Sequence, residues 1–171
     1  MEIKIRVMER EEDLPLAAEI VQKEIYDELS QGEMEDWLRN SGNYPYVQSF
    51  VAEKAGEVIG FISWRLSNLR GQQIIMEIDM IAVRAKHQRK GLGNRLIQQT
   101  LEKVKSIWKK GDLEIVTIRA ETDGDNRVAR NFFSKTLGRL GDIRETTTPK
   151  VWETTRSGED DIIQYFVRFF L

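Results

Sequence analysis

Gln88-Arg89-Lys90-Gly91-Leu92-Gly93 stands between an apolar run, Ile74 to Val83, and an amphipathic stretch that starts at Asn94. A basic, glycine-containing turn that opens a helix aims several backbone N–H groups and the positive end of the helix dipole at one spot. That is a site for a phosphate, and its extent suits a pyrophosphate. Arg84, Lys86, Arg89, Lys90 and Arg95 add cationic charge, although a solvated surface carries such charges too. The lesser reading of the glycines is a tight turn that needs positive φ and nothing more. Two other phosphate loops are excluded. No Gly-Lys-Ser/Thr follows the glycines, and the three-glycine spacing of a dinucleotide fingerprint is absent. Two carboxylates, Glu77 and Asp79, leave one face of the preceding strand, as side chains two apart do. Such carboxylates are candidates for a general base.

The remaining composition narrows the chemistry by subtraction. With no Cys, disulfides, thiolate catalysis and Cys-based zinc sites are excluded. The one His, His87, lies inside the basic turn, where a Ser-His-Asp triad would have to find it. A metal site would have to be built from carboxylates, and no EF-hand spacing occurs. Lys+Arg (26) and Asp+Glu (28) nearly cancel, which points away from nucleic acid or membrane as the main partner. No apolar run is long enough to span a bilayer and no N-terminal signal peptide is evident, so a cytoplasmic location is expected.

The elements that would hold these residues follow from periodicity. Glu2 to Met8 alternates as a strand. Asp13 caps a helix with Pro15 in its first turn, its apolar positions recurring through Leu29. A short second helix covers Met34 to Leu38 and ends at Asn40-Ser41-Gly42. Strands Tyr46 to Lys54 and Glu57 to Leu66 meet at a tight Ala55-Gly56 turn. Ile74 to Val83 is the next strand, and the helix Asn94 to Lys110 stops at Gly111. Leu113 to Ala120 is a strand, and Asp125 opens a helix to about Leu137. Ile143 to Thr147 is a strand, Thr148 to Asp161 a polar loop, and Ile162 to Phe170 the closing strand. This order predicts one α/β (α+β) domain over residues 1–171, with a mixed, mostly antiparallel sheet of about seven strands and about four helices.

The turn, its strand and its helix, together with Asn126-x-x-Ala129-x-x-Phe132-Phe133, resemble the Gcn5-related N-acetyltransferase (GNAT) superfamily over nearly the whole chain. The resemblance implies an N-acetyltransferase using acetyl-CoA, with no metal. Gln88, Arg89, Lys90, Gly91, Leu92, Gly93, Asn94 and Arg95 would hold its pyrophosphate. Backbone groups along Ile81, Ala82 and Val83 would pair with the pantetheine arm, and the N–H of Ile81 would stabilise the oxyanion. Asn126, Ala129 and Phe133 would lie near the coenzyme arm, though Asn126 is equally a helix-start residue.

Acetyl transfer needs a neutral amine. An alkyl amine near pKa 10.4 is deprotonated about one part in a thousand at neutral pH, a handicap of roughly 4 kcal/mol. Glu77 lies 88 − 77 = 11 residues before Gln88, the spacing of the glutamate base in the histone acetyltransferase branch, and Asp79 is the second candidate. The family's usual Tyr, seven residues after the motif Asn, is Phe133 here, since 126 + 7 = 133. Phe133 cannot protonate the leaving thiolate, and Tyr165 is a possible substitute or simply a strand aromatic. With no Cys to carry an acetyl group, direct transfer in a ternary complex is expected; the alternative is a non-catalytic acyl-CoA-binding module. By analogy the amine acceptor, of unknown identity, would meet Tyr26 to Tyr46, with Trp37, Tyr44 and Tyr46, and the Thr148 to Asp161 loop, with Trp152, Glu159, Asp160 and Asp161. The aromatic-rich closing segment Gln164 to Leu171 suggests a homodimer.

Overall fold

The computed structural model describes residues 2–44, 46–70, 73–108, 114–149 and 161–168. Its elements, in order, are β1 (Ile3–Val7), α1 (Arg10–Glu24), α2 (Gln31–Ser41), β2 (Val47–Lys54), β3 (Glu57–Arg70), β4 (Gln73–Val83), a 3-10 turn (Ala85–His87), α3 (Leu92–Trp108), β5 (Glu114–Asp123), α4 (Arg127–Leu137), β6 (Asp142–Pro149) and β7 (Asp161–Arg168). The seven strands take the order β1-β2-β3-β4-β5-β7-β6. The β4–β5 ladder is parallel, while β1–β2, β2–β3, β5–β7 and β6–β7 are antiparallel. The mixed, mostly antiparallel sheet with four α-helices is the predicted fold class. Packing groups the residues into two units, Met1–Leu66 with Asp79–Gly111, and Ser67–Ile78 with Asp112–Leu171.

In the first unit, α1 starts at Arg10 rather than at Asp13. Asp13 instead turns back from inside the first turn, accepting the Glu9 N–H at 2.7 Å and two Arg6 guanidinium bonds at 2.5 and 2.9 Å. The helix stops at Glu24, short of Leu29, because the backbone leaves helical geometry at Ile25 (φ −132°). Leu29 still packs on the core, from a turn rather than from the helix. α2 is longer than its apolar residues predict: Ser30 and Glu33 form a reciprocal capping box that moves its start to Gln31. Leu14, Ala17, Ala18, Val21, Met34 and Leu38 pack with Val51, Val58, Phe61, Met80 and Ala82. Each large aliphatic side chain in that cluster contributes about 1.5–3 kcal/mol through burial. α3 buries Leu92, Leu96, Ile97, Thr100, Leu101 and Val104, and Trp64 Nε1 donates to Thr100 Oγ at 2.8 Å. Gly60 allows α3 to sit close, since a Cβ there would stand 3.2 Å from Leu96 Cδ1. The β2–β3 turn is Ala55-Gly56, both at positive φ (54° and 79°), as the primed hairpin turn requires.

In the second unit, α4 begins at Arg127, capped by Asn126 rather than Asp125. It buries Phe133, Thr136 and Leu137, while Ile118, Ala120, Tyr165 and Val167 are buried on the strands. β6 runs to Pro149, two residues beyond Thr147, because its ladder with β7 continues to Pro149–Asp161.

Candidate active site

The turn after β4 is built from unusual backbone. A 3-10 turn at Ala85–His87 delivers Gln88 in extended geometry; Arg89 (φ 57°) and Gly91 (φ 78°) then both enter the left-handed region. Gly91 is needed there, and a Cβ on it would meet no atom within 4 Å, so the space above it is open. α3 starts immediately afterwards at Leu92, two residues before Asn94, with the Arg95 N–H closing on Gly91 O at 3.1 Å. The amides of Leu92, Gly93 and Asn94 therefore precede the first intrahelical bond. The Oδ1 of Asn94 is buried and has no hydrogen-bond partner among the described residues. The open space beside Gly91 therefore adjoins the N-terminus of α3.

The side chains of the turn are mostly committed to scaffolding. Glu24, the last residue of α1, accepts the Ala85 N–H at 2.8 Å on one oxygen and Gln88 Nε2 at 2.7 Å on the other. Gln88 also donates to Val83 O at 2.9 Å. Arg84 is paired to Glu19 at 2.8 Å and donates to Val58 O, and Lys86 is paired to Glu57 at 2.7 Å. Lys90 Nζ donates to Lys86 O, and Arg95 donates to Ile3 O at 3.2 Å. Arg89 and Lys90 are both exposed, so their charge stands on the rim. Burial, then the charges of Lys86, Lys54 and Lys90, push His87 below its ordinary range.

β4 supplies the rest of the candidate residues. Its rungs with β5 run from Gln73–Glu114 to Ile78–Ala120, and Ile81, Ala82 and Val83 lie past the last of them. Glu77 is 4% exposed, and its carboxylate takes an ion pair from Arg119 Nη2 at 2.9 Å. Asp79 is paired to Arg65 at 3.2 Å and accepts a long bond from Ser63 Oγ at 3.4 Å. The two carboxylates singled out by spacing are therefore each held by a separate cation. Sequence reasoning missed both cations, and missed Glu24.

In the second unit, the Asn126 side chain accepts the Ala129 N–H at 3.0 Å, the helix-start role. Phe133 is buried, with its ring 5.3 Å from Phe132 and 5.9 Å from Tyr165. Tyr165 is only 1% exposed. Burial pushes that phenol up against the lowering effect of Arg130. Tyr165 borders a cleft of about 320 Å³ that Arg127, Arg130, Asn131, Ser134 and Glu145 also line. Trp37, Tyr44 and Tyr46, expected near an acceptor, are exposed aromatics in the first unit. Trp152, Glu159, Asp160 and residues 169–171 lie outside the described residues, and with them most of the expected acceptor loop and the end of the closing segment. Among the described residues no group of His, Asp and Glu is arranged to hold a metal ion, and no helix is long and apolar enough to cross a membrane.

Comparison with known proteins agrees with this geometry. Residues 9–138 match the family model of the acetyltransferase (GNAT) family. No curated protein matches the chain. Among solved structures, the chain is similar to ribosomal-protein-S18-alanine N-acetyltransferase from Escherichia coli, at 20% identity and TM-score 0.71, covering 99% of this chain and 96% of that one. It is similar to a spermidine N-acetyltransferase chimera from Vibrio cholerae and hSSAT, at 18% identity and TM-score 0.68, over 98% and 96% of the two chains. It is also similar to a chain of the NatC complex bound to Gag peptide and CoA, at 16% identity and TM-score 0.70, over 99% and 100%. Those identities speak for the fold, and the family match covers most of the sequence: the chain belongs to the acetyltransferase (GNAT) family.

Proposed function

We propose that the chain is an N-acetyltransferase that passes acetyl from acetyl-CoA directly to a primary amine of a protein, peptide or small molecule. The observation that carries this reading is the turn after β4, with Gly91 at φ 78° under open space and the N-terminus of a 17-residue helix next to it. A pyrophosphate fits such a cradle because its oxygens accept from amides already fixed in place. Family membership, and a similar fold solved with CoA, support the coenzyme as its owner.

Acetyl-CoA, when bound, supplies an activated acyl carbon and a sulfur leaving group. The chain's own residues would then act as follows. The amides opening α3 hold the phosphates, with Arg89 and Lys90 at the rim. The backbone of Ile81 and Val83, past the last β5 rung, pairs with the pantetheine arm as an added strand would. The Ile81 N–H donates to the carbonyl oxygen as charge develops there. Glu77 takes the amine proton, directly or through a water, with Asp79 as the second candidate. Phe133 has no proton to give, so protonation of the leaving sulfur falls to solvent.

Phe133 favours a second reading, a non-catalytic acyl-CoA-binding module. The two are separated by measuring turnover over a panel of N-terminal peptides, lysine peptides, polyamines and small amines, for the wild type and for Glu77→Gln. The transferase reading expects turnover on at least one amine, lowered about a hundredfold or more in the variant with acetyl-CoA affinity unchanged. Coenzyme binding with no turnover on any amine supports the module.

A further inference from the structure

A chain of polar side chains crosses three strands of the second unit. Parallel pairing sets Arg119 of β5 opposite Glu77 of β4. Arg119 Nη2 lies 2.9 Å from Glu77 Oε1 and 3.0 Å from Glu121 Oε1. Gln164, opposite Glu121 on β7, donates to that same Glu121 oxygen at 2.7 Å. A guanidinium facing one carboxylate usually engages it through two parallel bonds. Here one nitrogen bridges two carboxylates, and Arg119 Nε is buried with no partner among the described residues. The bridge fixes one oxygen of a nearly fully buried glutamate and keeps a cation beside it.

We propose that Arg119 is a positioning residue for acetyl transfer: its bridge between Glu77 and Glu121 holds the Glu77 carboxylate oriented, and Gln164 braces the bridge. The inference rests on Glu77 as the general base. The charged groups involved are Arg119 and Glu121 on β5, with neutral Gln164 beyond them on β7, and Asp79 on β4 itself, which carries its own partner Arg65. Removing Arg119 releases the Glu77 oxygen it holds, whereas removing Glu121 leaves that guanidinium nitrogen to Glu77.

The test is kcat and KM for Arg119→Gln, Arg119→Lys, Glu121→Gln and Glu77→Gln, each checked for folding by its melting temperature. Arg119→Gln should lower kcat by about tenfold or more, Glu121→Gln should lower it less, and Arg119→Lys should restore most of the wild-type kcat, with KM for acetyl-CoA within about twofold throughout, as expected when a residue acts on the chemical step. If Arg119→Gln does not fold, the loss of kcat in Glu121→Gln carries the test alone. A merely structural ion pair would lower the melting temperature and leave kcat of the folded protein unchanged, and that result overturns the proposal. Full activity in Glu77→Gln removes the base reading itself. An inactive Glu77→Gln beside fully active Arg119 and Glu121 variants removes only the role of Arg119.

Discussion

Glu24 gives the sharpest prediction about the coenzyme turn, because it lies 88 − 24 = 64 residues from Gln88 in sequence yet holds both ends of the turn. Replacing it by Ala removes two charge-assisted hydrogen bonds, of 2.8 and 2.7 Å, to the Ala85 amide and the Gln88 side chain. Such bonds contribute about 1.5–3 kcal/mol each when shielded, and both are exposed here, so about 1 kcal/mol each is the better figure. Their loss weakens the closed turn by about 2 kcal/mol. If that loss falls wholly on the competent population, apparent affinity for acetyl-CoA drops by up to about thirtyfold. Glu24→Gln retains one acceptor, enough for the Ala85 amide, and should recover about half of the loss in free-energy terms. Titration calorimetry on the three proteins reads the effect. An affinity for Glu24→Ala within twofold of wild type would refute the reasoning, because it would mean that the turn is held without this clamp.

Other predictions concern the frame and its titration. Thr100→Val strands the Trp64 indole N–H in the core and should cost about 1–3 kcal/mol, read as a fall in melting temperature of roughly 2–4 °C per kcal/mol. Gly60→Ala sets a methyl 3.2 Å from Leu96 Cδ1 and 3.4 Å from Ala82 O, so it should destabilise by about 1–3 kcal/mol, with a melting curve as the check. Arg84, then Lys23, hold the Glu19 carboxyl down to about 2 from its ordinary 4.5. A carboxyl depressed on folding stabilises above its unfolded value, so this contribution is full above about pH 5 and is lost as the pH falls from 4.5 towards 2. After discounting for partial exposure, Glu19→Gln should cost about 1 kcal/mol at pH 7 and nothing near pH 2, measured by denaturant unfolding at both pH values.

The parts of the account legible in sequence are those written in local spacing. The apolar periods of β4 and α3 bracket Gln88 to Gly93, and the positive φ at Gly91 is the property its residue type advertises. The Ser30–Glu33 capping box is equally local but lies outside the apolar period of α2, which marks a shorter helix than the observed one. The apolar period of α1 runs past its end because Leu29 keeps the helical spacing while packing from a turn. The partners of the candidate carboxylates could not be read, because strand register decides them. Nothing near Glu77 indicates that residue 119 lies on its rung, or that Arg65 reaches Asp79. Burial of Glu77 is likewise set by the assembled sheet rather than by its neighbours in the chain.

The central claim is that the turn opening α3 binds acetyl-CoA, and a direct titration of the coenzyme into the wild type and into Gly91→Glu tests it. Glu at this position adds backbone strain of about 1–2 kcal/mol at φ 78° and places a carboxylate where the phosphates would lie. At roughly 5 Å and an effective dielectric of about 20, that repulsion adds about 3 kcal/mol. The account predicts micromolar binding to the wild type and a loss of at least a hundredfold in the variant. Wild type that binds no acetyl-CoA, or a variant that binds it equally well, would contradict it.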